Sequence, residues 1–461
     1  MNKRIRYLLL LLIFINGYVS LSLELIAIRQ VGIFAGNTAV TTSIIIGIFL
    51  AFMSFGYYHG AVLRLIKTNL RKLLYISFVI IALMIMFGGS HTLIEDYFTI
   101  MADMGIKSNI AGTFIYSLMF LSAAPYLFGL NTALMSRFLH RYNRDYTGKI
   151  MAIDTIGSVL GSLLTTLILM PMIGVNHTVI IVVFLALCGA YIAKPRKKSL
   201  ISFVIILAMT YAVNSDYYLY EQHRIVENNA VSTISIHDGD DGNSKLMVMN
   251  WSNASKFSKD KNLYLPYIKY IEDNIITKMP KDEQMDVLVL GAGGFTIGYD
   301  DHFHNYTFID IDKSLLEVSE KYFLEEKLTM NKEFIVEDAS QFLKYTPKMY
   351  DLIFLDTYSS QENIPQDLVT EEYLQRVKDK LKPGGIVVMN IISSPSFNNR
   401  FTMKFDNTVR KIFGHNIQRQ VIGEFDAWNG EGNNNIVYII YNKPNSGATY
   451  THDKNTLIFD M

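Results

Sequence analysis

Glycines and carboxylates stand at the ends of four successive apolar segments in the second half of the chain. In chain order they are Gly291 with Gly293, then Asp310, Asp338 and Asp356. Glycines let the backbone approach a ligand closely, and an acid about 20 residues further on can accept hydrogen bonds from ribose hydroxyls. A carboxylate at the third strand end can accept from an adenine amino group. Together these positions predict an adenosine pocket.

Two of these features also have simpler interpretations. Thr296 stands where a dinucleotide fingerprint has its third glycine, so the glycines also fit an ordinary strand-to-helix turn. Asp338 precedes Ala339 and Ser340 and fits a helix N-cap. The nucleotide interpretation is favoured because all of these residues stand at strand ends.

The residues from 286 onward alternate between strand and helix patterns. Strands are predicted at 286–290, 305–310, 333–336, 350–355, 385–391, 416–422 and 435–441, with helices that begin near Thr296, Lys313, Ser340, Glu371 and Asn398. This alternation predicts an α/β doubly wound, Rossmann-like domain with a mostly parallel sheet and ligands at the carboxyl ends of the strands. Before it, 216–285 contains a β-hairpin around DGDDGN and a lead-in helix.

The first half of the chain is strongly apolar. Runs at 7–28, 40–63, 73–90, 110–135, 150–173 and 177–193, with a shorter one at 199–213, predict an α-helical multi-span membrane domain of six or seven helices. We therefore divide the chain into a membrane domain (1–215), a lead-in (216–285), a Rossmann-like domain (286–443) and a C-terminal tail (444–461).

The facing of the C-terminal domain depends on residues 199–213. Basic loops lie on the side of the basic N-terminus, which is therefore cytoplasmic. If 199–213 crosses the membrane, the domain is outside; if it lies in the interface, the domain is inside. Charge and segment count favour the outside placement. The segment is short for a span, however, and a nucleoside co-substrate is supplied in the cytoplasm, so we expect a cytoplasmic domain.

Composition limits the chemistry further. Cys188 is the single cysteine, which rules out a disulfide framework and a cysteine-based metal site. The acidic second half disfavours nucleic acid and suits a cationic substrate, although acidity also aids solubility. Glu24 and Asp154 lie in apolar runs, where they either line a path for a cation or bond to neighbouring helices.

The motifs resemble a known family. Residues 220–442 resemble the spermidine synthases, polyamine aminopropyltransferases with the S-adenosylmethionine-dependent methyltransferase fold, through VLVLGAGG, FIDID, VEDASQFL, YDLIFLDTYSS and IPQDLVTEEYL. The first half resembles bacterial proteins in which a multi-span domain is fused to such an enzyme, through SLELIAIRQ, PYLFGLNTALMSRFL and GKIMAIDTIGSVLGSLLTTLILMPMIG. This resemblance implies a multi-pass protein of the bacterial inner membrane.

The resemblance also implies roles for individual residues. Asp310 would hold the ribose, Asp338 the adenine, Gly291 and Gly293 the donor loop, Asp356 the attacking amine as catalytic carboxylate, and Tyr267, Tyr358 and Ser359 the rest of the amine site. The implied reaction moves an aminopropyl group from decarboxylated S-adenosylmethionine to an amine and releases methylthioadenosine. It needs no metal and no tightly bound cofactor, because the donor is a co-substrate.

Two departures keep other functions open. Gly294 stands where the family has an acid near the sulfonium, and Ser359 stands where it has a second acid at the amine site. The alternatives are a methyltransferase that uses intact S-adenosylmethionine, and a transporter or sensor that binds a polyamine or nucleoside without turnover. The expected partners are the lipid bilayer and a small cationic amine, not nucleic acid, and a homo-oligomer remains an option.

Overall fold

The computed structural model describes residues 3–63, 67–106, 108–141, 146–239, 241–258, 264–357, 366–397, 400–414, 416–423 and 433–442. The predicted site residues Tyr358 and Ser359 and the predicted tail, 444–461, lie outside these ranges. By internal contacts the chain divides into two compact units, the first Met1–His237 with Val248–Ser252 and the second Asp238–Met247 with Asn253–Met461. Each unit is described by itself.

The first unit is a helical bundle. Its helices are α1 Lys3–Ala35, α2 Ala39–Val62, α3 Lys67–Gly89, α4 His91–Asp103, α5 Asn109–Tyr116, α6 Ala123–His140, α7 Tyr146–Leu164, α8 Met170–Ala193, α9 Lys197–Asn214 and α10 Asp216–His223. Short π-helical turns at Ser117–Leu121 and Thr165–Leu169 continue α5 towards α6 and α7 into α8. In the described residues five helices are long and apolar enough to cross a membrane, or six if the bent pair α5 and α6 forms one span.

The continuous stretch from α7 through α8 is broken at Gly174. This glycine has φ 80° and ψ 167°, outside the helical region, and only glycine adopts such values without strain. Before the break, α7 runs parallel to α1, since Gly157 packs on the Phe14 backbone and Gly161 on Tyr18. The break falls between the apolar runs predicted at 150–173 and 177–193.

After Gly174 the chain runs back along α3. Val179 lies against Gly89 at the C-terminal end of α3, and Gly189 lies against the ring of Phe78 nearer its start. The helix from 175 to 193 is therefore antiparallel to α3. The stretch 146–193 thus makes two passes along the bundle.

Helix α9 runs along the full length of the bundle beside α3. The Tyr75 hydroxyl is 2.9 Å from Ser202 Oγ near the start of both helices, and Asn214 Nδ2 donates to Ser90 Oγ at 2.8 Å at their other end. Since both contacts occur in the same order along the two helices, α9 is parallel to α3. It is as complete a pass of the bundle as α3 itself.

The chain leaves α9 at the end of the bundle opposite its N-terminus. At this distal end, which holds the C-terminal part of α1 and the start of α4, Arg29 donates to the carbonyl oxygens of Asn229 and Ala230 at 3.1 Å. At the same end His223 Nδ1 lies 2.7 Å from Glu95 Oε2. The first residues after α9 are therefore tied to the distal end.

Four short strands and a helix follow α10: β1 Ile225–Asn228, β2 Thr233–Asp238, β3 Ser244–Met249, β4 Ser252–Ser258 and α11 Pro266–Asn274. The strands form one sheet in chain order. The predicted hairpin corresponds to β2 and β3, and the predicted lead-in helix corresponds to α11. The sequence interpretation missed β1 and β4.

The second unit holds an α/β domain. Its elements are β5 Asp286–Leu290, β6 Asn305–Asp310, α12 Leu315–Val318, β7 Lys332–Val336, α13 Ala339–Tyr345, β8 Tyr350–Leu355, α14 Glu371–Asp379, β9 Leu381–Ser393, α15 Arg400–Phe413, β10 Ile417–Ile422 and β11 Asn434–Tyr441. The sheet order is β10-β11-β9-β8-β5-β6-β7, parallel from β9 to β7, with β11 antiparallel to both neighbours. All seven predicted strands are present, and the order reverses beside β5.

The prediction of a helix beginning near Thr296 is wrong. Residues 291–304 form turns between β5 and β6. Phe295 and Gly298 have φ values of 58° and 63°, which a right-handed helix excludes. Side chains outside the segment also accept hydrogen bonds from its amide groups: Gly294 N–H donates to Ser255, and Gly298 N–H donates to Glu272. The glycine-rich turn therefore does not present a helix N-terminus to a ligand.

Candidate active site

The cross-strand register puts the carboxyl ends of β5, β6 and β8 level with Asn390 inside β9. The row consists of Gly291, Asp310, Asp356 and Asn390. Three of these residues were predicted as site residues. Ligands of open α/β sheets bind at the carboxyl ends of the strands, where the strand order reverses, and this row lies at that position.

The Asp356 carboxylate is held on both sides by neutral donors. The Tyr267 hydroxyl of α11 donates to Oδ2 at 2.6 Å, and Asn390 Nδ2 donates to Oδ1 at 2.9 Å. Tyr267 and Asp356 are 89 positions apart in the chain, and the structure brings them into direct contact. No cation neutralises the carboxylate among these partners, so Asp356 is oriented and still available to a positively charged ligand.

The surroundings of Asp356 tune its acidity. Burial raises the pKa of this carboxyl from 3.8 to about 6, although the bonds from Tyr267 and Asn390 oppose the shift. Burial disfavours the charged form, whereas hydrogen bonds to the carboxylate favour it. A group with this pKa is mostly ionised at pH 7 and binds a proton more readily than an exposed aspartate does. These are the properties of a general base near neutral pH.

Gly291 allows β5 and β8 to come together at the site. Its φ is 94°, and a Cβ atom here would lie 2.3 Å from the carbonyl oxygen of Asp356. The position therefore excludes a side chain both by its dihedral angle and by contact. Glycine at 291 is what permits Asp356 to occupy its place in the row.

Asp310 organises the glycine-rich turn. Its Oδ2 accepts from Ala292 N–H and its Oδ1 from Asp312 N–H, each at 3.0 Å. Burial raises the pKa of Asp310, while these backbone bonds oppose the rise. A carboxylate oxygen can accept more than one hydrogen bond, so both contacts are compatible with additional bonds to ribose hydroxyls.

Asp338 lies at the end of β7 and caps α13. Its Oδ1 accepts from Gln341 N–H at 2.9 Å, which is the standard geometry of an aspartate N-cap. The simpler interpretation of this residue therefore describes its present contact. An adenine contact remains a prediction for an exposed residue at the correct strand end.

The place of the missing acid at Gly294 is filled by other groups. A Cβ atom at 294 would lie 2.3 Å from the ring of Phe323 and 2.9 Å from Cβ of Ser255. Ser255 on β4 also holds Gly294 N–H at 2.8 Å. Replacing Gly294 by an acid would therefore not restore the family pattern, because Phe323 and Ser255 leave no room for a side chain at this position.

Sequence reasoning missed Asn390, Ser255 and Glu272. Asn390 lies inside β9, three residues before that strand ends, so a rule based on strand ends passed over it. Glu272 of α11 accepts from Gly298 N–H at 2.6 Å, and burial raises its pKa to about 7. No local pattern marks Ser255 or Glu272, because each acts on a turn that lies far away in sequence.

The fold and this row of residues together define a class of protein. The C-terminal part is a methyltransferase-like α/β domain with a central sheet. Its site contains a glycine-rich turn, an acid at the end of the next strand (Asp310) and a buried carboxylate (Asp356). The two hydrogen-bond donors to that buried carboxylate are uncharged side chains. Such a site suits a nucleoside-bearing donor beside a cationic acceptor.

Comparison with known proteins narrows the class. Residues 270–422 match the spermine/spermidine synthase domain family. Polyamine aminopropyltransferase 2 of Aquifex aeolicus is 23% identical over 82% of this chain and 78% of its own length. Polyamine aminopropyltransferase 2 of Hyperthermus butylicus is 31% identical over 31% of this chain and about half (49%) of its own length. A crystal structure of a probable spermidine synthase from Corynebacterium glutamicum shares 19% identity over 49% of this chain and 80% of its own, with a TM-score of 0.40.

These matches show that the chain is similar to polyamine aminopropyltransferases, and they support a spermidine synthase-like protein. They support the predicted enzyme class, a transferase of aminopropyl groups.

Proposed function

We propose that the protein is a membrane-bound aminopropyltransferase that moves an aminopropyl group from decarboxylated S-adenosylmethionine to a small cationic amine. The contact of Tyr267 and Asn390 with Asp356 carries this proposal, because it orients one buried carboxylate where the amine must lie. In this proposal residues 1–215 form the membrane domain and 216–443 the catalytic part.

The chemistry follows from the charge of the substrates. An ammonium group must lose a proton before its nitrogen can attack, and Asp356 is proposed to accept that proton. The neutral nitrogen then bonds to the aminopropyl carbon while the bond from that carbon to the sulfonium breaks. The sulfur keeps the electron pair and leaves as methylthioadenosine. Asp310 and the glycine-rich turn would hold the nucleoside, with Asp338 at the adenine.

One observation favours a second candidate, a methyltransferase that uses intact S-adenosylmethionine. The acid that the family places near the sulfonium and amino end of the donor has no room at Gly294, because Phe323 and Ser255 occupy that space. Without this acid, the donor's amino end loses one carboxylate partner. The identity of the donor is therefore the first property to measure.

We expect methylthioadenosine from the full chain in detergent when decarboxylated S-adenosylmethionine and putrescine are supplied. The nucleoside product, measured by chromatography, distinguishes the two reactions, since methyl transfer from the intact donor would give S-adenosylhomocysteine instead. Asp310→Ala should abolish turnover, whereas Glu333→Ala, an exposed acid on β7, should not. S-adenosylhomocysteine as the main product would replace the proposal by its alternative, and the absence of both products would refute both.

We also propose that the bundle crosses the membrane seven times and that the catalytic part faces the non-cytoplasmic side. The break at Gly174 and the full length of α9 support this count. The described basic residues at the N-terminal end of the bundle, among them Arg71, Lys72 and Arg137, support a cytoplasmic location for that end. The chain leaves α9 at the distal end, so this proposal differs from the cytoplasmic placement expected from co-substrate supply.

Cysteine labelling in oriented membrane vesicles tests the facing. In a Cys188→Ser background, Lys281→Cys should react with a membrane-impermeant maleimide in right-side-out vesicles and be protected in inverted ones. Lys72→Cys at the N-terminal end is the matched control and should show the opposite pattern; both side chains are exposed. The same pattern at both positions would restore the cytoplasmic placement.

A further inference from the structure

A polar cluster, separate from the candidate active site, lies inside the helical bundle. It consists of Asn16 on α1, Asn131 and Thr132 on α6, and Asp154 on α7. Asn16 Nδ2 donates to Thr132 Oγ1 at 3.0 Å, and Asn131 Nδ2 donates to Asn16 Oδ1 at 3.3 Å. The Asp154 side chain lies close to Asn16 and Thr132. Three helices therefore converge on one carboxylate within an apolar bundle.

Close packing fixes the position of Asp154. A Cβ atom at Gly17 of α1 would lie 2.2 Å from the Asp154 carbonyl oxygen and 3.1 Å from its Oδ1. Small residues allow helices to approach in this way inside membranes. The two backbones are in direct contact here, so any side chain at position 17 would push α7 away and displace the carboxylate.

Two acceptors of the cluster have no donor. Asn131 is fully buried, and its Oδ1 has no hydrogen-bond partner in the described part of the chain. The same holds for Asp154 Oδ1, which is also shielded from solvent. Buried polar atoms normally have partners, because an acceptor without a donor in an apolar interior destabilises the folded chain. A ligand with N–H groups could donate hydrogen bonds to Asn131 Oδ1 and Asp154 Oδ1.

The cluster lies within the apolar part of the bundle. Asp154 is about 12 Å along α7 from Tyr146, and Asn131 is about 14 Å along α6 from His140, at 1.5 Å per residue. Both distances are measured from the basic, N-terminal end. An ionisable group at this depth is costly to keep and marks a functional site by default.

We infer that this cluster binds the primary ammonium group of a small organic cation. An ammonium group offers three N–H donors and one positive charge, and the cluster offers Asn131 Oδ1, Asp154 Oδ1 and the Thr132 hydroxyl beside one negative charge. Calcium and magnesium ions prefer six or more oxygen ligands, which is more than these side chains provide. In the described residues no group of three histidine, cysteine or acidic side chains could hold a metal.

This inference concerns the bundle and does not depend on transfer activity. Its ammonium ligand belongs to the same chemical class as the acceptor proposed for the catalytic part, so the bundle would bind the enzyme's substrate or product within the membrane. The binding test below requires no turnover. Failure of the proposed reaction and failure of this site are therefore separate results.

Equilibrium binding of radiolabelled putrescine to the full chain in lipid nanodiscs tests the site. The measurement is made in an Asp356→Ala background, which removes the carboxylate of the catalytic part. We expect saturable binding that Asp154→Asn weakens at least about tenfold, since a charge-assisted bond is lost. Asn131→Leu removes one acceptor without changing charge and is expected to weaken binding in the same direction.

Glu24→Gln is the matched control. It removes the other carboxylate of an apolar helix, on α1 but outside the cluster, and is expected to leave the affinity unchanged. Unchanged affinity in both Asp154→Asn and Asn131→Leu would overturn the inference, and so would equal losses in Glu24→Gln. Displacement of putrescine by sodium at equal concentration would also overturn it, because the site would then select charge and not an ammonium group.

Discussion

Asp356→Asn is expected to lower kcat/KM for amine transfer by about 10²–10⁴-fold, the usual range for loss of a general base. The substitution keeps the size of the side chain but removes the group that is proposed to accept the proton of the ammonium. Initial rates with saturating donor and varied putrescine measure the effect. Asp351→Asn serves as a control, because Asp351 pairs with Lys382 near the start of β8, at the opposite end of the strand.

The same residue predicts a pH profile. Because the pKa of Asp356 is raised to about 6, kcat/KM should fall as the pH drops through 6 and the base becomes protonated. Tyr267→Phe removes a bond that stabilises the carboxylate and should move this limb to higher pH. A limb at the same pH in both proteins would show that Asp356 is not the group that titrates.

As the pH rises through 6, the contribution of Asp356 to stability should fall while the transfer activity rises. The folded protein raises the pKa of Asp356 from 3.8 to about 6, so the native state binds a proton more tightly than the unfolded chain. The contribution of this group to stability is present below pH 4 and is lost as the pH rises through 6. Asp356→Asn should therefore raise the thermal midpoint at pH 7 but not at pH 4. A lower midpoint at pH 7 would mean that lost activity reflects damaged folding.

Gly291→Ala is expected to reduce the free energy of unfolding by about 2–5 kcal/mol and to abolish transfer. The positive φ costs about 1–2 kcal/mol for alanine, and the clash with the Asp356 carbonyl adds an overpacking cost of about 1–3 kcal/mol. Relief of the clash must move the end of β8, next to the proposed catalytic carboxylate of Asp356. Denaturant unfolding and transfer rates measure the two effects.

Gly384→Ala is a control that measures the cost of a positive φ without the steric clash present at Gly291. Gly384 has a similar φ of 81°, but no atom lies within 4 Å of the position its Cβ would take. This variant should lose only about 1–2 kcal/mol and keep its activity. If the two variants were equally destabilised, the close approach of Gly291 to Asp356 would have no energetic importance.

Several features were determined by the sequence itself. The strand at 286–290 and its partners are short apolar runs bounded by turn residues, and their alternation with helices allows few arrangements other than a parallel sheet. The carboxyl ends of parallel strands meet at one edge, so the sequence alone places Gly291, Asp310 and Asp356 together. The apolar runs likewise predicted the long helices of the bundle, because an uninterrupted apolar run of about 20 residues favours a helix of that length.

Tertiary structure decided what depends on contacts between distant residues. Tyr267 reaches Asp356 because α11 packs beside the strand ends, and Asn390 reaches it because β9 pairs with β8. The turn after β5 does not form the expected helix, because its amide N–H groups donate hydrogen bonds to the side chains of Ser255 and Glu272. Packing along α3 shows α9 to be a full pass of the bundle. In each case the local pattern was compatible with two structures, and long-range hydrogen bonds or packing selected one of them.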